Sequence, residues 1–536
     1  MSRPRSTLSI HRLATVALLT SLGMAGAQAK TLVYCSEGSP ENFTPALNTT
    51  GTSFDAARPI YDRLVHFVRG STQTEPGLAE SWTISDDGKV YTFKLRKGVK
   101  FHSVAGFTPT REFNADDVIW SFERQWKPDH PYAKVSGGKY DYFADMGFKD
   151  DLVSIEKIDP MTVKMTFKKP NVTMLPNLAM DFAAIGSAEY ADALAKANKK
   201  EQFDQVPVGT GPFSFVTYQK DAVIRYKAHK AYWGAEKAMV DDLVYAITPD
   251  ATARYSKLKA GECHLSGYPR PADLPEMQKD PALKVTSLPG LNIAYWSFNT
   301  QKPPFDKKEV RQAFTMAIDK AAILKEVYLG AGTPAKNLMP PTLWGYNDKV
   351  QDWPHDPAKA KELLAKAGVK TPMEVDLWYM PVQRPYNPNA KRMAEMMQAD
   401  LAKVGVNAKL VTYEWGEYRK RLQQGEHMTG MLGWNGDNGD PDNFFFLHGC
   451  DAARPGGQNL SKWCNKAFDE RLEKARTLTD NKARAKLYEE MQAIEHEEAP
   501  DFKIAHSVVY EVMRKEVTGY KQSPFNTHEF KGVELK

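Results

Sequence analysis

The sequence predicts a mixed α/β protein built from several lobes, and three observations carry that prediction. At 536 residues the chain exceeds what one ordinary core serves, so two or three domains are expected. Hairpin-like alternating runs prevail up to Phe298, whereas helical and strand patterns alternate after it. No Gly- or Pro-rich linker separates independent modules, so the lobes are expected to share strands that cross between them, which suits hinge motion. Hydrophobic residues make up 42% and charged residues 26%, the composition of an ordinary globular protein.

Residues 1–29 read as a secretory leader. Arg3, Arg5 and Arg12 form a positive start, Leu13–Ala25 a short apolar run, and Ala27-Gln28-Ala29 a small-x-small cleavage pattern. The apolar run is shorter than the roughly 20 residues a membrane span needs. Cleavage after Ala29 is expected. Removing the three arginines leaves 68 Lys+Arg against 66 Asp+Glu, a net charge of +2 that gives no electrostatic reason to expect nucleic acid. Four cysteines remain: Cys35, Cys263, Cys450 and Cys464. An even count in an exported chain suggests two disulfides, with three connectivities open. The expected pairing joins Cys450 to Cys464 as a local staple and Cys35 to Cys263 as a long-range tie. No C-x-x-C pair is present, which argues against a zinc site.

Lys30–Ser36 reads as a strand and Gly38–Gly51 as a loop, while Phe54–Phe67 has helical spacing. Ser81–Ser85 and Val90–Arg96 alternate around Asp87-Gly88, a hairpin signal. Asn114 followed by acids opens a helix over Val118–Gln125. Val153–Ile158 and Met161–Lys168 form a second strand pair. After the break at Gly209–Phe213, strands run to Lys227 and again over Val240–Ile247. Ala251–Ala260 is a helix closed by Gly261, and Leu291–Phe298 is a strand. Lys308–Asp319, Pro357–Lys366 and Asn389–Val404 follow as helices. The last lies between strands Glu374–Trp378 and Ala408–Tyr413, as in a β-α-β unit. Asn481–Glu497 is a helix and Ile504–Tyr510 a strand.

Enzyme signatures are missing. There is no G-x-S-x-G elbow, no H-E-x-x-H and no phosphate-binding G-x-x-x-x-G-K-[ST], and the histidines are dispersed, so no catalytic residue is assigned. The segment Trp434–Phe446 is the most informative: Asp437, Asp440 and Asp442 stand between a Trp and a run of Phe. Gly and Pro interrupt it, so it is expected to be a loop. Counted from Asp437 or from Asp440, the ligand spacing of an EF-hand fails, which disfavours calcium. A carboxylate covered by a ring can instead hold an ammonium group. A complementary cation stands in Met380–Pro388, where Arg384 sits in a Pro-rich loop directly after a strand, the position at which α/β folds place ligand groups.

Several segments then resemble one family. PGLAESW at Pro76–Trp82, YTFKLRKGVKFH at Tyr91–His102, VSGGKYDYF at Val135–Phe143 and VGTGPF at Val208–Phe213 match it. So do RYKAHKAYWG at Arg225–Gly234, MPVQRPYNPNAKRMAEM at Met380–Met396, VTYEWGEY at Val411–Tyr418 and GDNGDPDNFF at Gly436–Phe445. The chain beyond residue 29 resembles the peptide- and nickel-binding class of periplasmic solute-binding proteins that serve bacterial ABC importers, and within it the dipeptide branch. The last three segments are specific to that branch.

The resemblance implies a two-lobed periplasmic binding protein fold with an additional inserted domain. Lobe I would comprise 30–62, 212–289 and 509–536, the inserted domain 63–211, and lobe III 290–508. The family's two disulfides fit the same cysteine pairing. Asp437 would bind a peptide's α-ammonium and Arg384 its α-carboxylate. Trp434 and Gly433 would line the pocket, Thr49 and Gly51 would meet the peptide backbone, and Tyr140 and Tyr386 would stand nearby. Asp440 and Asp442 would shape the loop. No cofactor and no metal is implied. The implied partners are a dipeptide, an inner-membrane ABC permease and a chemoreceptor, for a monomer in the periplasm. The alternatives are a tripeptide or opine-like ligand and, from a different class, a secreted hydrolase.

Overall fold

The strand Asp501–Arg514 organises the molecule. It lies inside a 12-stranded sheet whose path runs 406–411, 373–378, 429–435, 292–298, 501–514, 265–267, 31–36, 242–247, 223–228, 213–219. Its first residues pair antiparallel with Asn292–Phe298, and Glu511–Met513 pair with Leu265–Gly267. One strand thus belongs to both halves of the sheet. The computed structural model describes residues 29–536. The predicted leader lies outside the described residues except for Ala29.

A second chain passage runs beside the first. Leu283–Pro289 pairs with Val508–Arg514, and the chain then passes through Gly290 and Leu291 into Asn292–Phe298. Asn292 Oδ1 accepts from Ser507 N at 2.8 Å, and Asn292 Nδ2 donates to Ser507 Oγ at 2.9 Å. Gly290 N donates to Ser507 O at 2.9 Å, and a Cβ on Gly290 would lie 2.6 Å from that oxygen, so only glycine allows the approach. The crossing is therefore a pair of strands locked by one Asn–Ser exchange.

Around this sheet the pattern-derived elements form largely as expected. Thr31–Ser36 is a strand paired in parallel with Asp242–Ile247. Val90–Leu95 pairs with Ala79–Ile84 across the Asp-Gly turn, where Gly88 takes φ +69°. With Leu152–Asp159 and Thr162–Phe167 these make a separate four-stranded antiparallel sheet. Asn114 caps the helix Ala115–Trp126 in a capping box with Asp117. The helix Ala390–Lys403 connects the parallel strands Met373–Trp378 and Val406–Val411. Gly261, Gly368 and Gly405 all take positive φ just beyond their helices.

One element differs clearly. The helical spacing over Phe54–Phe67 yields a helix only over Gly51–Ala57, and Val65–Phe67 is a strand. Arg58 still has helical angles, φ −54° and ψ −38°, but Pro59 after it has no N–H to donate to Asp55 O, so the helical ladder ends there. The strand Ile504–Tyr510 extends to Asp501–Arg514 because each end finds a different neighbour.

Both disulfides take the expected pairing, Cys35–Cys263 and Cys450–Cys464. In the chain-entropy model a loop of about 15 residues, such as the second encloses, is worth about 3 kcal/mol. One buried polar cluster stiffens the side of the sheet behind the acidic loop. His448 Nδ1 is 2.9 Å from Glu495 Oε1 and its Nε2 is 3.1 Å from Asp501 Oδ2, while Lys503 Nζ lies 2.8 Å from a carboxylate oxygen of each. Among the described residues these three acid and imidazole groups are the only set close enough to share a metal ion, and Lys503 already supplies the cation there.

Candidate functional site

The strand Thr429–Asn435 delivers the acidic loop. It is buried on nearly its whole length, pairing antiparallel with Asn292–Phe298 on one side and in parallel with Met373–Trp378 on the other. Immediately after it the chain turns, and Asp440-Pro441 lead into the short helix Asp442–Phe445. The loop is held by the rest of its own acids. Asp440 Oδ1 accepts from Arg484 Nη2 at 2.7 Å, and Asp442 Oδ1 accepts from Arg476 Nε at 2.7 Å. Asn443 Oδ1 accepts from Asp437 N at 2.7 Å and from Trp434 Nε1 at 3.1 Å, which fixes the backbone of Asp437 and the tilt of the indole together.

Asp437 is left without a cation. It makes no ion pair among the described residues, and its Oδ2 accepts from the Tyr142 hydroxyl at 3.2 Å. Burial pushes the carboxyl up to about 7. The Asn443 side chain and the Tyr142 hydroxyl pull it down, Asp181 pushes it up again, and Arg58 on the same wall pulls it down. A buried carboxyl held up in this way, with no ion pair among the described residues, can accept a cation.

Asp437 opens on a cavity whose walls come from both halves of the sheet and from the segment that carries Tyr142. Arg384, Trp434, Gly433, Tyr386, Thr49 and Gly51 line it with Asp437. Arg384 is held in its loop by reciprocal backbone hydrogen bonds with Asn387. Its guanidinium faces the first strand's continuation, with Nη1 3.3 Å from Glu37 Oε1 and Nη2 3.4 Å from Thr52 Oγ1, and its Cζ is 5.0 Å from the centre of the Trp415 ring. Thr49 and Gly51 belong to the entry of the helix Gly51–Ala57, which Thr50 caps. A Cβ on Gly51 would meet nothing within 4 Å, so this backbone lies open to the cavity.

Tyr386 and Gly433 are fitted to each other. A Cβ on Gly433 would stand 2.3 Å from both Tyr386 Cδ2 and Ile293 O. Gly433→Ala is therefore expected to cost about 1–3 kcal/mol through overpacking. A fall in Tm checks this, and an unchanged Tm would show that strand and ring give way freely.

Tyr140 is a correction. It does not line the cavity: its hydroxyl accepts from Arg124 Nε at 3.2 Å and donates to Tyr132 O at 3.3 Å. Tyr142, two residues on in the same VSGGKYDYF segment, takes the place expected of it. Among the cavity residues not anticipated are also Tyr268, Trp415, Arg419, Gln458 and Asn526. Trp415 lies in the quoted VTYEWGEY segment and Arg419 directly follows it, but Tyr268, Gln458 and Asn526 carry no local signal, because they come from distant parts of the chain. The cavity wall contains no His, Cys or Lys. One carboxyl, that of Asp437, and three guanidinium groups, of which Arg384 is buried, face a shared space lined with aromatic rings.

The family model for bacterial extracellular solute-binding proteins, family 5, matches residues 73–453. The chain is 55% identical over 514 residues to the dipeptide-binding protein of Escherichia coli (strain K12), covering 96% of each. It is 53% identical over 509 residues to di/tripeptide-binding protein 1 of Pseudomonas aeruginosa (strain UCBPP-PA14), covering 95% of this chain and 94% of that one. Among solved structures, the dipeptide binding protein from Pseudoalteromonas sp. SM9913 in complex with Met-Leu superposes with a TM-score of 0.91 at 40% identity, covering 95% of this chain and all of that one.

Proposed function

Because the chain belongs to the bacterial extracellular solute-binding proteins of family 5, we propose that it captures dipeptides and hands them to an ABC permease. One observation carries the reading: Asp437, a carboxyl without a cation, faces the same cavity as the buried guanidinium of Arg384. The first takes the α-ammonium and the second the α-carboxylate. Trp434 and Tyr142 cover the ammonium, Tyr386 and Gly433 form the floor, and Thr49 and Gly51 meet the peptide backbone. The role is binding; neither bond-breaking nor a cofactor enters the scheme. The relatives are solute-binding proteins, which disfavours the secreted-hydrolase alternative.

Lobe limits at 30–62, 212–289 and 509–536, with 63–211 inserted and 290–508 as lobe III, suit this reading. The four-stranded sheet falls within 63–211, and the locked crossing at Asn292 and Ser507 falls where two of the limits meet. Closure about that crossing is what a permease, or a chemoreceptor, would read as the loaded state. The working unit in this reading is a monomer. The place of action is the periplasm, reached after cleavage at Ala29.

Two charged clamps at fixed separation measure length. Each residue adds at most about 3.3–3.6 Å, so a third residue carries its carboxylate past Arg384. Titration calorimetry with Ala-Ala, free Ala and Ala-Ala-Ala tests the proposal. Ala-Ala is expected to bind at least tenfold more tightly than either. Tighter binding of Ala-Ala-Ala would replace the dipeptide by a longer ligand, and no binding of any of the three would end the peptide reading.

A further inference from the structure

Once the two peptide termini are assigned, one charge in the cavity has nothing to do. Four charged side chains line it: Arg58, Arg384, Arg419 and Asp437. Arg58 is consumed by two acids, Asp55 and, at 2.6 Å, Asp181. Arg384 is held by Glu37 and faces the peptide carboxylate. Asp437 faces the ammonium. Arg419, on the helix Trp415–Gln424, forms neither an ion pair nor a side-chain hydrogen bond with any described residue. Asp141, whose carboxyl burial raises while Arg419 pulls it down, is not on the cavity wall and makes no ion pair among the described residues.

The groups beside Arg419 are also donors without acceptors. Trp415 stands between the two arginines, its ring centre 5.0 Å from Arg384 Cζ and 5.9 Å from Arg419 Cζ, and its buried Nε1 has no partner. Gln458, only 4% exposed, presents a buried Nε2 that likewise has none. Its loop packs on the helix of Arg419, where Gly456 N donates to Gln423 O at 3.0 Å. A guanidinium with no ion pair among the described residues shares this cavity wall with two orphaned N–H donors, and the three together are short of acceptors and of negative charge. A neutral side chain offers at most one oxygen there, whereas a carboxylate offers about four lone-pair sites and accepts from arginine in bidentate fashion.

We propose that Arg419, with Trp415 Nε1 and Gln458 Nε2, is a second carboxylate receptor in the cavity, and that it favours peptides carrying a Glu or Asp side chain. This rests on the dipeptide reading and adds a preference to it. A third residue's main-chain carboxylate has the same chemistry, so the experiment separates the two sources.

Calorimetry on the full chain with Ala-Glu, its neutral isostere Ala-Gln, Ala-Ala and Ala-Ala-Ala is the test. The unaltered protein is expected to prefer Ala-Glu over Ala-Gln at least tenfold. Arg419→Gln is expected to lower that ratio at least tenfold, and Arg419→Lys to retain part of it. Should Arg419→Gln fail to fold, Gln458→Leu reads the same ratio and is expected to lower it severalfold. A ratio near one in the unaltered protein, or one that these variants leave alone, overturns the receptor. Loss confined to Ala-Ala-Ala overturns the side-chain assignment in favour of a longer peptide's end. If Ala-Ala itself does not bind to the unaltered protein, the dipeptide reading fails and this inference falls with it.

Discussion

Asp437→Asn is expected to weaken dipeptide binding by about 2–5 kcal/mol, roughly 30- to 5,000-fold, while the protein stays folded. The substitution keeps the shape and removes the charge that meets the ammonium. Asp440 and Asp442 cannot replace it, because Arg484 and Arg476 already hold them. Affinity should also carry a pH signature. Burial pushes the Asp437 carboxyl up to about 7, and an ammonium ligand stabilises its ionised form. Binding below that pH must expel a proton, so affinity falls as pH drops below about 7, by up to tenfold per unit. On the other side the peptide's own amine loses its proton above about pH 8. Affinity should therefore peak between these values, and the acid limb should vanish in Asp437→Asn. Equal affinity of the unaltered protein for Ala-Ala at pH 5.5 and 7.5 would remove Asp437 as the titrating clamp.

The second large effect concerns stability. His448 and Lys503 together balance Glu495 and Asp501 in a fully buried group of four. Burial works against the imidazolium, but Asp501 and Glu495 outweigh it and raise His448 to about 9, while Lys503 and His448 hold Asp501 down at about 2. His448→Gln leaves one buried carboxylate uncompensated, at an expected cost of about 3–5 kcal/mol. The sign of the pH dependence follows from the raised imidazole. Its stabilisation is fully present below an unfolded value near 6.5 and is lost as pH rises through about 9. The Tm deficit of His448→Gln should therefore be largest near pH 6 and shrink by pH 10. His528, raised to about 9 beside Asp55, gives the remaining protein a slope of the same sign. A deficit that does not vary between pH 6 and 10 would assign the loss to packing alone.

Much of this site could be read in the residues themselves. Asp437 and Arg384 follow from charge, ring neighbours and the loop after a strand, and the long helix Ala390–Lys403 follows from spacing closed by Gly405. The strand Thr429–Asn435 was harder to see. Burial on both faces removes the alternation that marks a strand, and Gly430 and Gly433 read as breakers although close neighbours require them. Tyr142 was hidden behind Tyr140, since one local motif offers both rings and only the fold selects between them. Tyr268, Gln458 and Asn526 were invisible, because no pattern in one segment reports that distant segments converge.

The crossing strand also sets a timetable. Asp501–Arg514 comes after every other strand of its sheet in the sequence, yet it fills the middle of that sheet. Until it arrives, Asn292–Phe298 and Leu265–Gly267 each present an open edge, and the two halves have no shared strand. A nascent chain of 500 residues is thus an unfinished one, whatever its local elements have done. The same ordering leaves those edges open to a neighbour if synthesis stops early, so prematurely ended chains are the ones to expect in aggregates.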